Sequence, residues 1–322
     1  MRFLSRALTG AILLAFSGGA IAQDFPVRPV TIVVGFTPGN LIDTPLRMML
    51  PYLQKALGQP VIIDYKPGAG GNIAYGSVAR NAAPDGHTLV ASTSGVVTVP
   101  LFNKVNFDPI ADLPPVTIFM RFRALLASPP AAPWSDFPGM IDYARAHPGG
   151  VKIGFNSVGG AVPLIHAAIQ QHYKVDITPV LYRGTPEITT AVIGGEIQLA
   201  FLGDPAVEQQ KSGELKIIAI TGASRLGAIP AVPTLEELDI GMSPVPDLWA
   251  GVHARAGTPR PVIDKLWKAF EGALNDAETR ALLTKANIET LNIGPEAAAK
   301  MMKDTFAAAK IVADKAGIKP QD

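Results

Sequence analysis

The feature that most constrains this chain is a repeated alternation of short β-branched runs with amphipathic segments, each joined by a few turn residues. Residues 29–36 (PVTIVVGF) are a compact apolar run of strand character, and residues 37–40 (TPGN) turn the chain. A helix is predicted from about Asp43, with Pro45 in its first turn, where a missing N–H is harmless. Leu46, Met49, Leu50, Leu53 and Leu57 fall on one face, and Gly58 ends it. The same order of strand, turn and helix follows at 60–64, 68–71 and 72–82, with a third strand at 88–91. Units of this length imply a mostly parallel sheet covered on both faces.

The middle of the chain repeats the logic, so a second sheet is expected. Strands are predicted at 123–127, 151–155, 178–182, 197–202 and 216–221, with helices at 137–146, 163–172 and 188–194. Thr234 and Glu237 have capping-box spacing, which predicts a short helix. The end reads as three helices, 261–274, 277–286 and 295–316, with no strands of their own, so they are expected to pack back on the first sheet. This places one α/β lobe at 24–122 plus 248–322 and the other at 123–247. Two crossovers, near 121–123 and 247–251, would form the hinge.

The first residues carry an export pattern. Arg2 and Arg6 precede an apolar stretch at 7–16, and Ala20-Ile21-Ala22 offers a small–x–small cleavage site, so residues 1–22 are expected to be removed as a signal peptide. That stretch is shorter than the roughly 20 residues a membrane span needs. A soluble mature protein in the periplasm is therefore expected. The chain has no cysteine, which excludes disulfides, thiol catalysis, thiolate metal sites and a lipoprotein anchor. Its 28 Lys+Arg against 27 Asp+Glu, without a basic block, argue against a nucleic-acid partner.

No enzyme signature emerges. The five histidines, His87, His147, His166, His172 and His253, form no metal-binding pair, and His166 and His172 fall on different helix faces. No nucleophile elbow, Walker A or kinase motif occurs. The glycine-rich residues 68–71 lack dinucleotide spacing and read as a tight turn, with Asn72 as the cap of the next helix. No catalysis, metal or cofactor is expected. What the chain does offer is a set of helix N-termini after strands. Their unpaired N–H groups and positive dipole ends bind carboxylates without a cationic side chain, at the strand ends where open α/β sheets take ligands. Four loops qualify: 36–43, 92–96, 156–161 and 182–186.

The residues then resemble a known family, the periplasmic solute-binding proteins of tripartite tricarboxylate transporters, called Bug or TctC-like. The resemblance is carried by Phe25-Pro26-Val27-Arg28-Pro29-Val30, by Val34-Gly35-Phe36-Thr37-Pro38-Gly39 with Asp43 and Arg47, and by Leu57-Gly58-Gln59-Pro60-Val61. It continues through Lys66-Pro67-Gly68-Ala69-Gly70-Gly71, Ala83-Pro84-Asp85-Gly86-His87-Thr88-Leu89, Phe107-Asp108-Pro109, Tyr182-Arg183-Gly184, Val232-Pro233-Thr234 and Trp249-Ala250-Gly251. It implies a two-lobed type II periplasmic-binding-protein fold, with the ligand cleft between lobes and two hinge crossovers. It also implies a small organic carboxylate as ligand and delivery by a monomer to a membrane permease. Two alternatives stand beside it: a sensory binding protein, with the same ligand chemistry but a sensor as its membrane partner, and, ranked below that, a secreted enzyme, which would need a clustered acid–base set that the sequence does not offer.

Carried over by position, Phe36, Thr37, Gly39 and Asn40 would form the first clamp, and Ser157, Gly159, Gly160 and Ala161 the facing one. Ser94, Tyr182, Arg183 and Asp204 complete the expected ligand-binding set, and Arg121, Arg123 or Arg183 could meet a second carboxylate. Asp43 is expected to fix its loop rather than touch an anion, and 68–71 to be structural. Two departures stand out. Asn40, followed by Leu41 and Ile42, stands where the family has a second glycine, and the facing loop lacks a hydroxyl at Ala161. They point to a less polar acid, aromatic or longer-chain.

Overall fold

A computed structural model describes residues 25–157, 159–222, 224–240 and 248–320; the expected signal peptide and its cleavage site lie outside them. In chain order the described elements are β1 (Val30–Val34), α1 (Asp43–Leu57), β2 (Val61–Tyr65), α2 (Asn72–Asn81), β3 (Thr88–Thr93), α3 (Gly95–Thr98), β4 (Pro115–Arg121) and β5 (Leu125–Ser128). Then follow α4 (Phe137–Ala146), β6 (Val151–Phe155), α5 (Ala161–Tyr173), β7 (Ile177–Leu181), α6 (Thr185–Ile193), β8 (Leu199–Leu202), α7 (Ala206–Lys211) and β9 (Lys216–Ile220). The chain ends with β10 (Trp249–Ala254), α8 (Arg260–Asn275), α9 (Ala277–Lys285), β11 (Glu289–Ile293) and α10 (Pro295–Lys315).

Two sheets result, as the alternation predicts. The first has strand order β11-β4-β10-β3-β1-β2 and the second β7-β6-β8-β5-β9. β1 runs parallel to β2 and β3, and β6 parallel to β7 and β8. Both sheets are nonetheless mixed. β10 lies antiparallel between β3 and β4, β11 is antiparallel to β4, and β5 is antiparallel to β8 and β9. The cause is the chain passing between sheets: it enters the second through β5 and returns into the middle of the first through β10. The two passes run side by side, the Phe122 N–H donating to Leu248 O at 3.0 Å. Ala124 joins the Thr221 segment in the same way, its N–H reaching Thr221 Oγ1 at 2.8 Å.

The helices follow their apolar spacing. On α1, Leu46, Met49, Leu53 and Leu57 are buried with Ile263, Leu266 and Phe270 of α8 in one core cluster. Gly58 ends α1 at φ 68°, the left-handed turn that glycine enters without strain. The Thr234–Glu237 box forms, with the Thr234 N–H donating to Glu237 Oε2 at 2.7 Å and the Glu237 N–H to Thr234 Oγ1 at 3.1 Å. It closes a run of turns instead of the expected helix.

The C-terminal segment corrects two expectations. It contributes a strand, β11, whose alternation rests on only two apolar residues, Leu291 and Ile293, too short a pattern to stand out between two helices. And α10 does not belong to the first sheet alone. Ala298 and Met302 sit in a core cluster with Val90, Ile118 and Trp249, whereas Ala309, Val312 and Ala313 sit in the cluster of Leu164, Ile165 and Ala168 on α5. Among the described residues no helix is long and apolar enough to cross a membrane.

Candidate functional site

The loop after β1 is braced from below. Asp43 is 2% exposed, and its carboxylate accepts the Gly39 N–H at 2.7 Å, Arg47 Nε at 3.0 Å and the Tyr65 hydroxyl. Burial alone would raise the carboxyl, but the bonds from Tyr65, Gly39 and Arg47 outweigh it and hold the group below the usual carboxylate range. Asp43 is thus an ionised internal tie for the loop, in keeping with its expected role. Asp43→Ala leaves three donors without their common acceptor. A loss of about 2 kcal/mol is expected in denaturant unfolding, and an unchanged midpoint would show that the tie contributes nothing.

Above this tie, Thr37 and Gly39 are exposed and Phe36 and Asn40 are half-buried. Asn40 Oδ1 accepts the N–H groups of Ile42 at 2.8 Å and Asp43 at 3.2 Å, while Asn40 Nδ2 donates to Thr37 O at 2.6 Å. Of the two apolar residues that follow, Ile42 is fully buried in the core and only Leu41, 42% exposed, faces solvent.

The 68–71 turn, expected to be structural, packs on elements of both sheets. Gly35, at the end of β1, packs so tightly on it that a Cβ would lie 2.6 Å from Gly71 Cα. Gly70, at φ 64°, faces across to the second sheet, where a Cβ would stand 3.4 Å from Ser157 Cβ, and it lies beside Val99 of its own side, whose Cγ2 would be 3.6 Å away. Asn72 is not the cap of α2; Gly71 holds that position, and Asn72 Oδ1 is buried without a hydrogen-bond partner among the described residues.

The loop after β6 completes the seam. Ser157 Oγ donates to Gly159 O at 2.7 Å. A Cβ on Gly159 would meet Phe102 Cβ at 2.9 Å and Asn103 Nδ2 at 3.0 Å, both from the first sheet's excursion after α3. Gly160, at φ 122°, precedes α5 and offers no side-chain cap, and the first turn of α5 contains no acidic residue. Ala161 is buried with Ala124 and Leu248 of the two crossovers. Elements of the two sheets therefore meet at Gly70, Val99, Phe102 and Asn103 on one side and Ser157, Gly159 and Gly160 on the other. Val99, Phe102 and Asn103 escaped sequence reading because residues 95–103 (GVVTVPLFN) show neither period.

The remaining candidates have the following surroundings. Ser94, 1% exposed, lies beside β10, its N–H donating to Trp249 O at 2.8 Å, and its hydroxyl has no partner among the described residues. Half-buried Tyr182 packs by Gly154, and Arg183 is exposed, its N–H held by Glu187 Oε2 at 3.1 Å. Arg123 donates to Glu289 Oε2 at 2.6 Å, and Arg121 lies 3.6 Å from the same carboxylate. Both arginines, offered as partners for a second ligand carboxylate, thus serve Glu289 beside the first crossover. Asp204 faces this group; burial pushes its pKa up, Arg123 pulls it down and Glu289 raises it further. His87, His166 and His253 are buried.

Known proteins share this architecture along the whole chain. A protein of Cupriavidus necator, named for its place in the gbd 5' region, is 32% identical over 320 residues, covering 97% of this chain and 95% of that one. The solved structure of R. palustris Rpa4515 with adipate superposes with a TM-score of 0.83 at 28% identity, covering 92% of this chain and 100% of that one. MatC from Rhodopseudomonas palustris with bound malate gives a TM-score of 0.81 at 29% identity, covering 90% and 100%. The structure of the periplasmic binding protein BugD gives a TM-score of 0.82 at 26% identity, covering 92% of this chain and 100% of that one. Residues 46–318 match the model of the TctC tripartite tricarboxylate transporter family receptors, and the chain belongs to that family of solute-binding receptors.

Proposed function

We propose that this protein is an exported periplasmic receptor that captures a small organic carboxylate by closing its two lobes and hands it to the permease of a tripartite tricarboxylate transporter. The lobes are residues 24–122 with 248–322, and residues 123–247; the crossovers paired through Phe122 and Leu248 are the hinge. The observation that carries the reading is the meeting of the 156–160 loop, at the uncapped start of α5, with Gly70, Phe102 and Asn103 of the other lobe. A ligand held there is enclosed by both lobes, and its carboxylate meets N–H groups at a helix start. Adipate and malate in relatives of the same fold support the ligand class.

Closure follows if ligand on one lobe recruits groups of the other, so that binding and the hinge equilibrium are one process. A thermal-shift series with mono- and dicarboxylates should raise the unfolding midpoint for a subset of acids. Ligand at a hundredfold excess over Kd adds about 2.7 kcal/mol to the folded state. Small-angle scattering should show the protein contracting with the same acids. Shifts with sugars, amines or nucleotides and with no acid would overturn the carboxylate reading.

A further inference from the structure

The hinge carries charge from both lobes. In the second sheet Leu125 of β5 pairs with Leu202 of β8 and with Ile220 of β9. Continued outward along the crossover, that register sets Arg123 between Asp204 and Gly222, on one face with them. Two contacts agree with it. The Thr221 N–H reaches Ala124 O at 2.9 Å, and a Cβ on Gly222 would stand 3.5 Å from Arg123 Nε. Arg123 is therefore seated on the second lobe, yet its guanidinium donates across the hinge to Glu289 Oε2 at 2.6 Å. Glu289 lies on β11 in the first sheet, where Arg121 of β4 is its register partner and Arg121 Nη1 is 3.6 Å from its Oε1.

Each member of this interlobe pair thus has a second partner in its own lobe: Arg121 for Glu289, and Asp204 for Arg123. Asp204 is poorly satisfied as the lobes stand. Its Oδ1 is buried without a hydrogen-bond partner among the described residues, as is Arg123 Nε. It is drawn to Arg123 and repelled by Glu289. Stranding a buried charge is costly, but here parting the lobes strands neither, since each charge keeps a partner on its own side. The lobes touch in this arrangement, at Gly159 and Phe102, so the Arg123–Glu289 pair accompanies lobes that are together. We propose that Arg123 is a two-position latch of the hinge: paired with Glu289 it holds the lobes together, and paired with Asp204 it holds them apart. The proposal rests on lobe closure as the receptor's mechanism and adds the residues that set its balance.

Neutralising the two carboxylates one at a time tests it, because the latch requires opposite effects from the same kind of change. Glu289→Gln should leave the ligand-free protein more extended in small-angle scattering. It should also bind adipate or malate, whichever wild type takes, about three- to tenfold more weakly. Asp204→Asn should make the ligand-free protein more compact and tighten binding of the same acid by a similar factor. In an Arg123→Gln background both shifts should vanish, since the carboxylates then have no common partner to compete for. Weaker binding by both variants would make Asp204 a ligand contact and overturn the proposal. So would the absence of any change in variants that unfold as cooperatively as wild type, or shifts that persist without Arg123. Should wild type fail to contract with either acid, the closure reading fails for those ligands, and the ligand-free scattering of the variants still decides the latch.

Discussion

Gly159→Leu is expected to weaken ligand binding by about 10- to 100-fold while leaving each lobe folded. The position has ordinary backbone angles, so the substitution does not strain its own loop; the conflict is with Phe102 Cβ at 2.9 Å and Asn103 Nδ2 at 3.0 Å, which belong to the other lobe. Phe102 Cβ is next to the main chain and cannot swing away as a long side-chain tip would. Overpacking of this kind costs about 1–3 kcal/mol, and here the lobes can avoid it by separating. The cost therefore falls on the closed state, and roughly 1.4 kcal/mol is a tenfold loss in affinity. Gly227→Ala is the control, since a Cβ there meets nothing within 4 Å. Calorimetric titration with an acid that binds wild type should separate the two variants, and scattering should show Gly159→Leu failing to contract. Wild-type affinity in Gly159→Leu would mean that this contact is not part of closure.

The contrast between Gly159 and its partners shows what was legible beforehand. A glycine-containing loop between a β-branched strand and a helix is a local pattern, so residues 156–160 and 36–40 could be placed at strand ends from sequence. Likewise α1 and α8 announce their buried faces by spacing. Phe102 and Asn103 could not be found this way, because their role arises from a contact across some 57 residues of chain to Gly159, and nothing in residues 95–103 repeats. β10 was hidden for a related reason: it is buried on both faces, and Trp249, Gly251 and His253 give it no β-branched alternation. The chemistry of Asn40 was half legible. Its departure from glycine could be seen, but the departure reads as altered ligand contact until the hydrogen bonds to Ile42, Asp43 and Thr37 show that the amide serves the loop. The arginines illustrate the opposite case, in which charges suited to a ligand carboxylate lie near a crossover and pair with Glu289, a partner that local sequence does not announce.

Acid is expected to destabilise the protein well before its carboxylates titrate. His253 lies on β10, fully buried and 2.7 Å from Ser92 Oγ, and burial depresses its pKa from 6.5 to about 4. In the second lobe His166 donates from Nε2 to Ile177 O at 3.0 Å, and burial again lowers its pKa to about 4 against the opposing pull of Ile177 O and Asp176. Both rings stay neutral in the folded protein while the unfolded chain takes up protons below pH 6.5, so stability falls as pH drops from about 6.5 towards 4. Linkage gives a loss of about 2 kcal/mol per histidine by pH 5 and about 3 by pH 4. Together these losses are comparable with the whole stability of a typical domain, about 5–15 kcal/mol. Asp204 acts in the opposite direction, since its raised pKa lets the folded state take up a proton as the pH falls. Asp43 adds its own loss only lower down, because its depressed pKa keeps the tie ionised until the unfolded carboxyl near 3.8 has begun to protonate. Denaturant unfolding at pH 7, 6, 5 and 4.5 should therefore show a continuous decline that starts above pH 6. His253→Gln and His166→Gln should each flatten it, whatever they do to stability at pH 7. A stability that holds level to pH 4.5 would mean that neither ring is kept neutral by its burial.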